Sequence, residues 1–174
     1  MTETEDSVAT VAELVDRATI CMFTTMTTDG RHVARPMAVQ EVEFDGDLWF
    51  FTYAESAKVG EIGANPQVNV SFSNVKQSEW TSIAGSAEIV VDREKAAELW
   101  SAPLKVWFPD GLETPGLVLI KVHADTAEYW SSPSSKVVQL FGAVRAAVTR
   151  NPDKFPGENE IVALPGSGSG DELR

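Results

Sequence analysis

The chain has 174 residues, 43% of them hydrophobic and 23% charged, enough for one domain whose core needs no disulfide or metal staple. With 26 acidic against 14 basic side chains, the net charge of -12 argues against nucleic acid or an anionic membrane as a partner. No apolar run approaches the ~20 residues of a membrane span.

Val8, Val11, Leu14, Val15 and Ala18 fall on one face of a first helix, capped by Ser7 or a polar neighbour. The acidic, polar start of the chain is no signal peptide. Residues 20–27 are rich in β-formers and hold the single cysteine, Cys21, which therefore has no internal disulfide partner. A buried thiol in a reducing compartment follows, and with it a cytoplasmic setting. Asp29-Gly30 is the strongest hairpin signal in the chain. It leads into a strand in which Val33, Arg35, Met37 and Val39 alternate with smaller or polar neighbours, which puts Arg35 on the apolar side. Asp45-Gly46 makes a second tight turn into a strand over residues 48–53.

Ser56 is a good N-cap for a short helix carrying Val59, Ile62 and Gly63, and Asn65-Pro66 stops it. Residues 67–73 and 80–91 read as a further strand pair, and Gly85 marks a bulge or a close approach. Asp92 caps a helix with Ala96, Leu99 and Trp100 on one side, and an irregular stretch over residues 101–115 follows. Residues 117–122 and 126–130 suggest a last antiparallel pair. A final helix over residues 135–148 carries Val137, Leu140, Phe141, Val144 and Val148. The expected unit is residues 1–150, mainly β with helices (α+β): a six-stranded antiparallel Greek-key barrel. Residues 151–174 form an extension, disordered from about residue 165 onward.

Two cations stand where an isolated domain has little use for them. A guanidinium on an apolar strand face is costly without an anion. Lys58 falls in a first helical turn, where the macrodipole disfavours a cation. One phosphate between Arg35 and the helix N-terminus would satisfy both. The alternative is a bulge at Pro36 that turns Arg35 to water. Trp107, in an irregular loop, is hard for a lone monomer to bury and suggests a homodimer with a pocket at its seam. His32 and His123 lack ligand spacing for a metal, and Ser86 lacks a nucleophile elbow.

In order and spacing, Arg35-Pro36-Met37, Trp49-Phe50-Phe51-Thr52, Ser56-Ala57-Lys58, Asn65-Pro66-Gln67-Val68, the strand ending Ala84-Gly85-Ser86-Ala87-Glu88, Trp107-Phe108-Pro109-Asp110-Gly111 and Glu128-Tyr129-Trp130 resemble the flavin-binding split-barrel family of pyridoxamine 5'-phosphate oxidase. The general stress protein 26 group is the nearest part of it. The resemblance implies a homodimer of split barrels with FMN at the interface. Arg35 and Lys58 would hold the phosphate, helped by Ser56 next to Ala57. The backbone of Pro36 and Met37 would meet the ring edge, and Phe51 and Thr52 the ring and ribityl chain. Trp130 would approach from the other subunit, and Lys105 and Trp107 would roof the ring. Ala57, Gln40 and Trp80 depart from the oxidase pattern, as does Ser131-Ser132-Pro133, so pyridoxamine phosphate is disfavoured as substrate. The expected activity is that of a flavin-dependent oxidoreductase on a small molecule. A non-catalytic flavin- or haem-binding protein and a deazaflavin-dependent reductase are the alternatives.

Overall fold

The computed structural model describes residues 3–40, 45–131 and 158–163. Helix α1 is Glu3–Asp16, followed by β1 (Ile20–Met26), β2 (His32–Ala38), β3 (Asp47–Tyr53), α2 (Ala57–Ala64) and β4 (Gln67–Asn74). Then come β5 (Glu79–Val90), α3 (Arg93–Leu99), two 3-10 turns at Ala102–Val106 and Gly111–Glu113, β6 (Leu117–Ser131) and β7 (Glu158–Ala163). The strands lie in the order β2-β1-β4-β5-β6-β3, every neighbouring pair antiparallel, and β7 pairs with β6. The expected mainly β, six-stranded split barrel with flanking helices is the fold observed.

Turn chemistry explains the first hairpin and the entry to β3. Asp29-Gly30 closes the first one, with Gly30 at φ +84° and the Thr27 N–H donating to the Arg31 carbonyl at 2.8 Å. Asp45-Gly46 leads into β3, with Gly46 at φ +107°. Near that second turn the Gln40 N–H donates to the Trp49 carbonyl at 3.2 Å. Beyond that bond β2 and β3 share no ladder among the described residues. The barrel is therefore open along one seam.

Period-two alternation fills the interior. Phe23, Phe50, Val70, Ile83, Ile120 and Val122 are fully buried, and Phe23 meets Phe50 edge to face with ring centres 5.1 Å apart. Strand β3 is covered on both sides, because Phe51 points away from Phe50 into a second cluster with Leu99, Leu104, Phe108 and Leu119. Asp92 caps α3 as expected, its carboxylate accepting from the Lys95 N–H.

Three expectations need correction. Helix α1 begins at Glu3, not after Ser7, because no Pro or Gly interrupts the chain between them. The last strand pair is one continuous strand, β6, because the break in alternation at residues 123–125 is taken up as a bulge against β5 and not as a turn. The register shifts instead: Ala84 faces Thr126 and Gly85 faces Ala124, leaving Asp125 as the bulged residue. In addition, β7 is a strand within the segment read as an extension. The final helix over residues 135–148 and the expected disorder after about residue 165 lie outside the described residues. No helix among the described residues is long and apolar enough to cross a membrane.

The bulge accounts for Gly85. A β-carbon there would sit 2.1 Å from the His123 carbonyl oxygen, so the two strands could not keep their separation. Gly85→Ala is expected to lower stability by about 1–3 kcal/mol through overpacking against backbone, read as a lower urea midpoint.

Cys21 is buried, and its Sγ donates to the Met37 carbonyl at 3.5 Å. Burial pushes its thiol up to about 12 from an ordinary value of 9.0. The native protein should therefore leave a thiol reagent unconsumed at pH 8, with one thiol titrating only in denaturant. Prompt labelling of the folded protein would contradict the burial.

A cleft at the barrel seam

Where β2 and β3 diverge they leave a cavity of about 320 Å³, within the roughly 300–1,000 Å³ of small-molecule sites. One wall is Ile20 with Pro36, Met37, Ala38 and Gln40; the other is Phe51, Thr52 and Tyr53. Leu104, Trp107 and Phe108 of the irregular stretch close over it, and Lys58 enters from the first turn of α2. Among the described residues Lys58 is the lining's only charged side chain.

The aromatic roof is held from below. The Tyr53 hydroxyl donates to the Trp107 carbonyl at 2.8 Å, and the Tyr53 and Phe108 ring centres lie 5.0 Å apart. Phe51 meets Trp100 edge to face at 5.5 Å. Trp107 itself stays 52% exposed while bordering the cavity, which is costly for an indole unless something covers it.

The turn after β3 aims Lys58. The Ser56 N–H donates to the Tyr53 carbonyl, and the Val59 N–H to the Ser56 carbonyl, both at 3.0 Å. Ser56 occupies the N-cap position but makes no side-chain cap bond. Its hydroxyl instead lies 3.1 Å from Thr52 Oγ1, which accepts from Lys58 Nζ at 2.9 Å. Burial, then the neighbouring Arg35 charge, lowers the Lys58 pKa from its ordinary value; Glu61 partly offsets this.

Arg35 lies on the inner face of β2 opposite Phe23, as alternation predicts, with its side chain 22% exposed. Pro36 does not turn it to water. The guanidinium does meet an anion, but the anion belongs to this chain: Nη2 donates to Glu61 Oε2 at 3.0 Å. Nη1 donates to Thr25 Oγ1 at 2.8 Å, and the Thr25 hydroxyl donates to the same Glu61 oxygen at 2.5 Å. The Thr25 hydrogen bond, followed by Arg35, keeps the Glu61 carboxyl below its ordinary range. This corrects the reading of Arg35 as unpaired without a ligand.

Of the residues singled out from sequence, Pro36, Met37, Phe51, Thr52, Lys58 and Trp107 line the cavity. Arg35, Ser56, Ala57, Lys105 and Trp130 do not. Trp130 lies opposite Trp80 across the β5–β6 ladder, and both are more than a third exposed. Ile20, Ala38, Gln40, Tyr53, Leu104 and Phe108 line the cavity without having been named as site residues, Gln40 having entered only as a departure from the oxidase pattern and Phe108 only as part of the motif around Trp107. Their signal was weak: Gln40 is only 5% exposed, its amide Nε2 donating to the Ala38 carbonyl at 3.3 Å, yet it reads as an ordinary polar residue at a strand end.

Away from the cleft, Asp47 bonds His123 Nδ1 and Lys121 Nζ, each at 2.9 Å. Burial raises its pKa, but those two partners outweigh it and leave it lowered. No metal-holding group of three or more His, Cys, Asp or Glu exists among the described residues.

An antiparallel barrel split along one seam, with an aromatic-roofed slot and a lysine at its margin, defines a split β-barrel with a candidate ligand cleft. A family model described as pyridoxamine 5'-phosphate oxidase like matches residues 6–153, and the chain belongs to that family. Protein bli-3 of Neurospora crassa is 32% identical over 143 residues, covering 75% of this chain and 68% of that protein. The general stress FMN/FAD binding protein of Xanthomonas citri superposes with a TM-score of 0.66 at 28% identity, covering 76% of this chain and 93% of that one. General stress protein 26 of Bacillus anthracis shares the fold at 24% identity with a TM-score of 0.61, covering 74% and 94%.

Proposed function

We propose that the seam cleft binds FMN and that the protein is a flavin-dependent oxidoreductase acting on a small molecule. The observation that carries this is the cleft's pairing of largely apolar and aromatic walls with one cation, Lys58, among the described lining residues. Such a slot suits a planar ring bearing one anionic tail. The Xanthomonas citri relative, described as FMN/FAD binding, supports the same reading.

The residues present fit the group. Lys58, with the Thr52 and Ser56 hydroxyls beside it, would hold the phosphate together with Arg35, whose charge already reaches Lys58 and whose present partner is Glu61. The Ala57 backbone belongs to the same helix start. The strand at Pro36 and Met37 would meet the ring edge, and Phe51 and Trp107 would flank its faces, with Lys105 at the roof. Bound flavin supplies hydride or electron transfer at its ring. The described lining has no carboxylate or imidazole, so the chain's own contribution is to bind, orient and exclude water. The proposal includes a homodimer, with Trp130 reaching the opposite subunit's cleft. It also includes a cytoplasmic setting, which the free, buried Cys21 supports.

The test is a purified protein loaded with FMN and offered NADH or NADPH anaerobically. One flavin per subunit with donor-driven bleaching faster than free FMN is the expected result. Tight stoichiometric binding without turnover by any donor would leave a flavin-binding protein and overturn the enzymatic part. No flavin uptake would overturn both.

A further inference from the structure

Glu61 is the feature of this corner that FMN binding does not explain. A carboxylate is an unfavourable neighbour for a phosphate, yet this one lies one helical turn from Lys58 and touches Arg35 directly. Its side chain is only 13% exposed, and Thr25, 1% exposed, holds the carboxylate and the guanidinium together. The arrangement is built, not incidental: one hydroxyl accepts from the arginine and donates to the glutamate.

Resting on the cleft reading above, we propose that Glu61 is an internal counter-anion that sets the cleft's affinity for phosphate, because an incoming phosphate competes with it for Arg35. Without a ligand, Glu61 compensates a guanidinium that is costly to bury alone. With it in place, Arg35, Lys58 and Glu61 together present the charge of one cation. That matches a monoanion and falls short of a phosphate monoester, which carries about -1.5 to -2 at neutral pH. Glu61 thus trades ligand affinity for stability of the empty site. Its electrostatic repulsion of a second anion is strongest in this partly desolvated corner. The lowered Glu61 pKa means that the competitor stays charged throughout the neutral range.

Calorimetric titration of wild type, Glu61→Gln and Glu61→Asp with FMN, riboflavin and orthophosphate decides it. Riboflavin has the ring without the phosphate, and orthophosphate the anion without the ring. Glu61→Gln is expected to bind FMN and orthophosphate about tenfold tighter, with riboflavin unchanged. Glu61→Asp, whose shorter arm draws the charge away from the guanidinium, should shift the same way by less. It decides the matter alone if circular dichroism shows Glu61→Gln unfolded. Unchanged or weaker phosphate binding in a folded variant overturns the proposal, as does an equal change for riboflavin. Absence of orthophosphate binding in all three proteins also overturns it. Wild type that takes up neither flavin defeats the FMN reading alone, since the orthophosphate titration still reports on Glu61.

Discussion

On the proposed FMN reading, Lys58→Ala is expected to lower affinity for FMN by about 1.5–3 kcal/mol, roughly ten- to 150-fold, while riboflavin binding stays where it was. Lys58 is the one charged side chain on the described lining, so no neighbour on the wall replaces it. Thr52 fixes its ammonium at 2.9 Å, so little side-chain freedom remains to be lost when an anion arrives. The effect also has a pH signature. Burial and the Arg35 charge lower the Lys58 pKa, so its proton leaves at lower pH than from an ordinary lysine. Phosphate affinity is therefore full below that lowered value and falls as pH rises through it, short of the ordinary 10.5. Isothermal titration with both flavins between pH 6 and about 10.5 measures both effects. Equal losses for FMN and riboflavin would place the lysine's role in the fold and not in the anion.

Phe50→Ala is expected to lower unfolding free energy by about 3–5 kcal/mol. The ring is wholly buried and packs edge to face on Phe23, in the layer where β1 and β3 face each other across the barrel. Since domains of this size are stable by only about 5–15 kcal/mol, one truncation removes a large share. The urea midpoint should fall with an unchanged slope. A loss under about 1 kcal/mol would mean that the interior can collapse around the missing ring, contrary to close packing. The neighbouring Phe51 faces the other way, into the second cluster and the cleft, so its truncation reaches ligand affinity as well.

Local signals made the strands legible. Alternation gave the inner face of β2, and Asp29-Gly30 gave the first hairpin, because each depends on residues a few positions apart. The unbroken β6 was not legible: Ala124 and Asp125 interrupt the alternation, and only pairing with β5 shows that Asp125 is bulged. For the same reason Gly85 could be flagged as special while its partner, the His123 carbonyl, could not be named. Arg35 was legible as a buried charge in need of an anion. Glu61 was not, since 26 residues separate the two and α2 must dock on the barrel before they meet. The cleft divides likewise. Lys58 stands out by its place in a first helical turn, and Phe51 and Met37 only through the family resemblance, whereas Tyr53, Gln40 and Phe108 join the lining only once the sheet has curled.

The gap between β2 and β3 bears on how quickly a guest can enter. Those strands behave like the jaws of a clothes peg, joined at the neck by the Gln40–Trp49 backbone bond, the only hydrogen bond across that gap among the described residues. No ladder has to be unzipped for the jaws to part. Admission of a flat molecule should therefore be far faster than global denaturation, and loading can proceed with the native sheet intact.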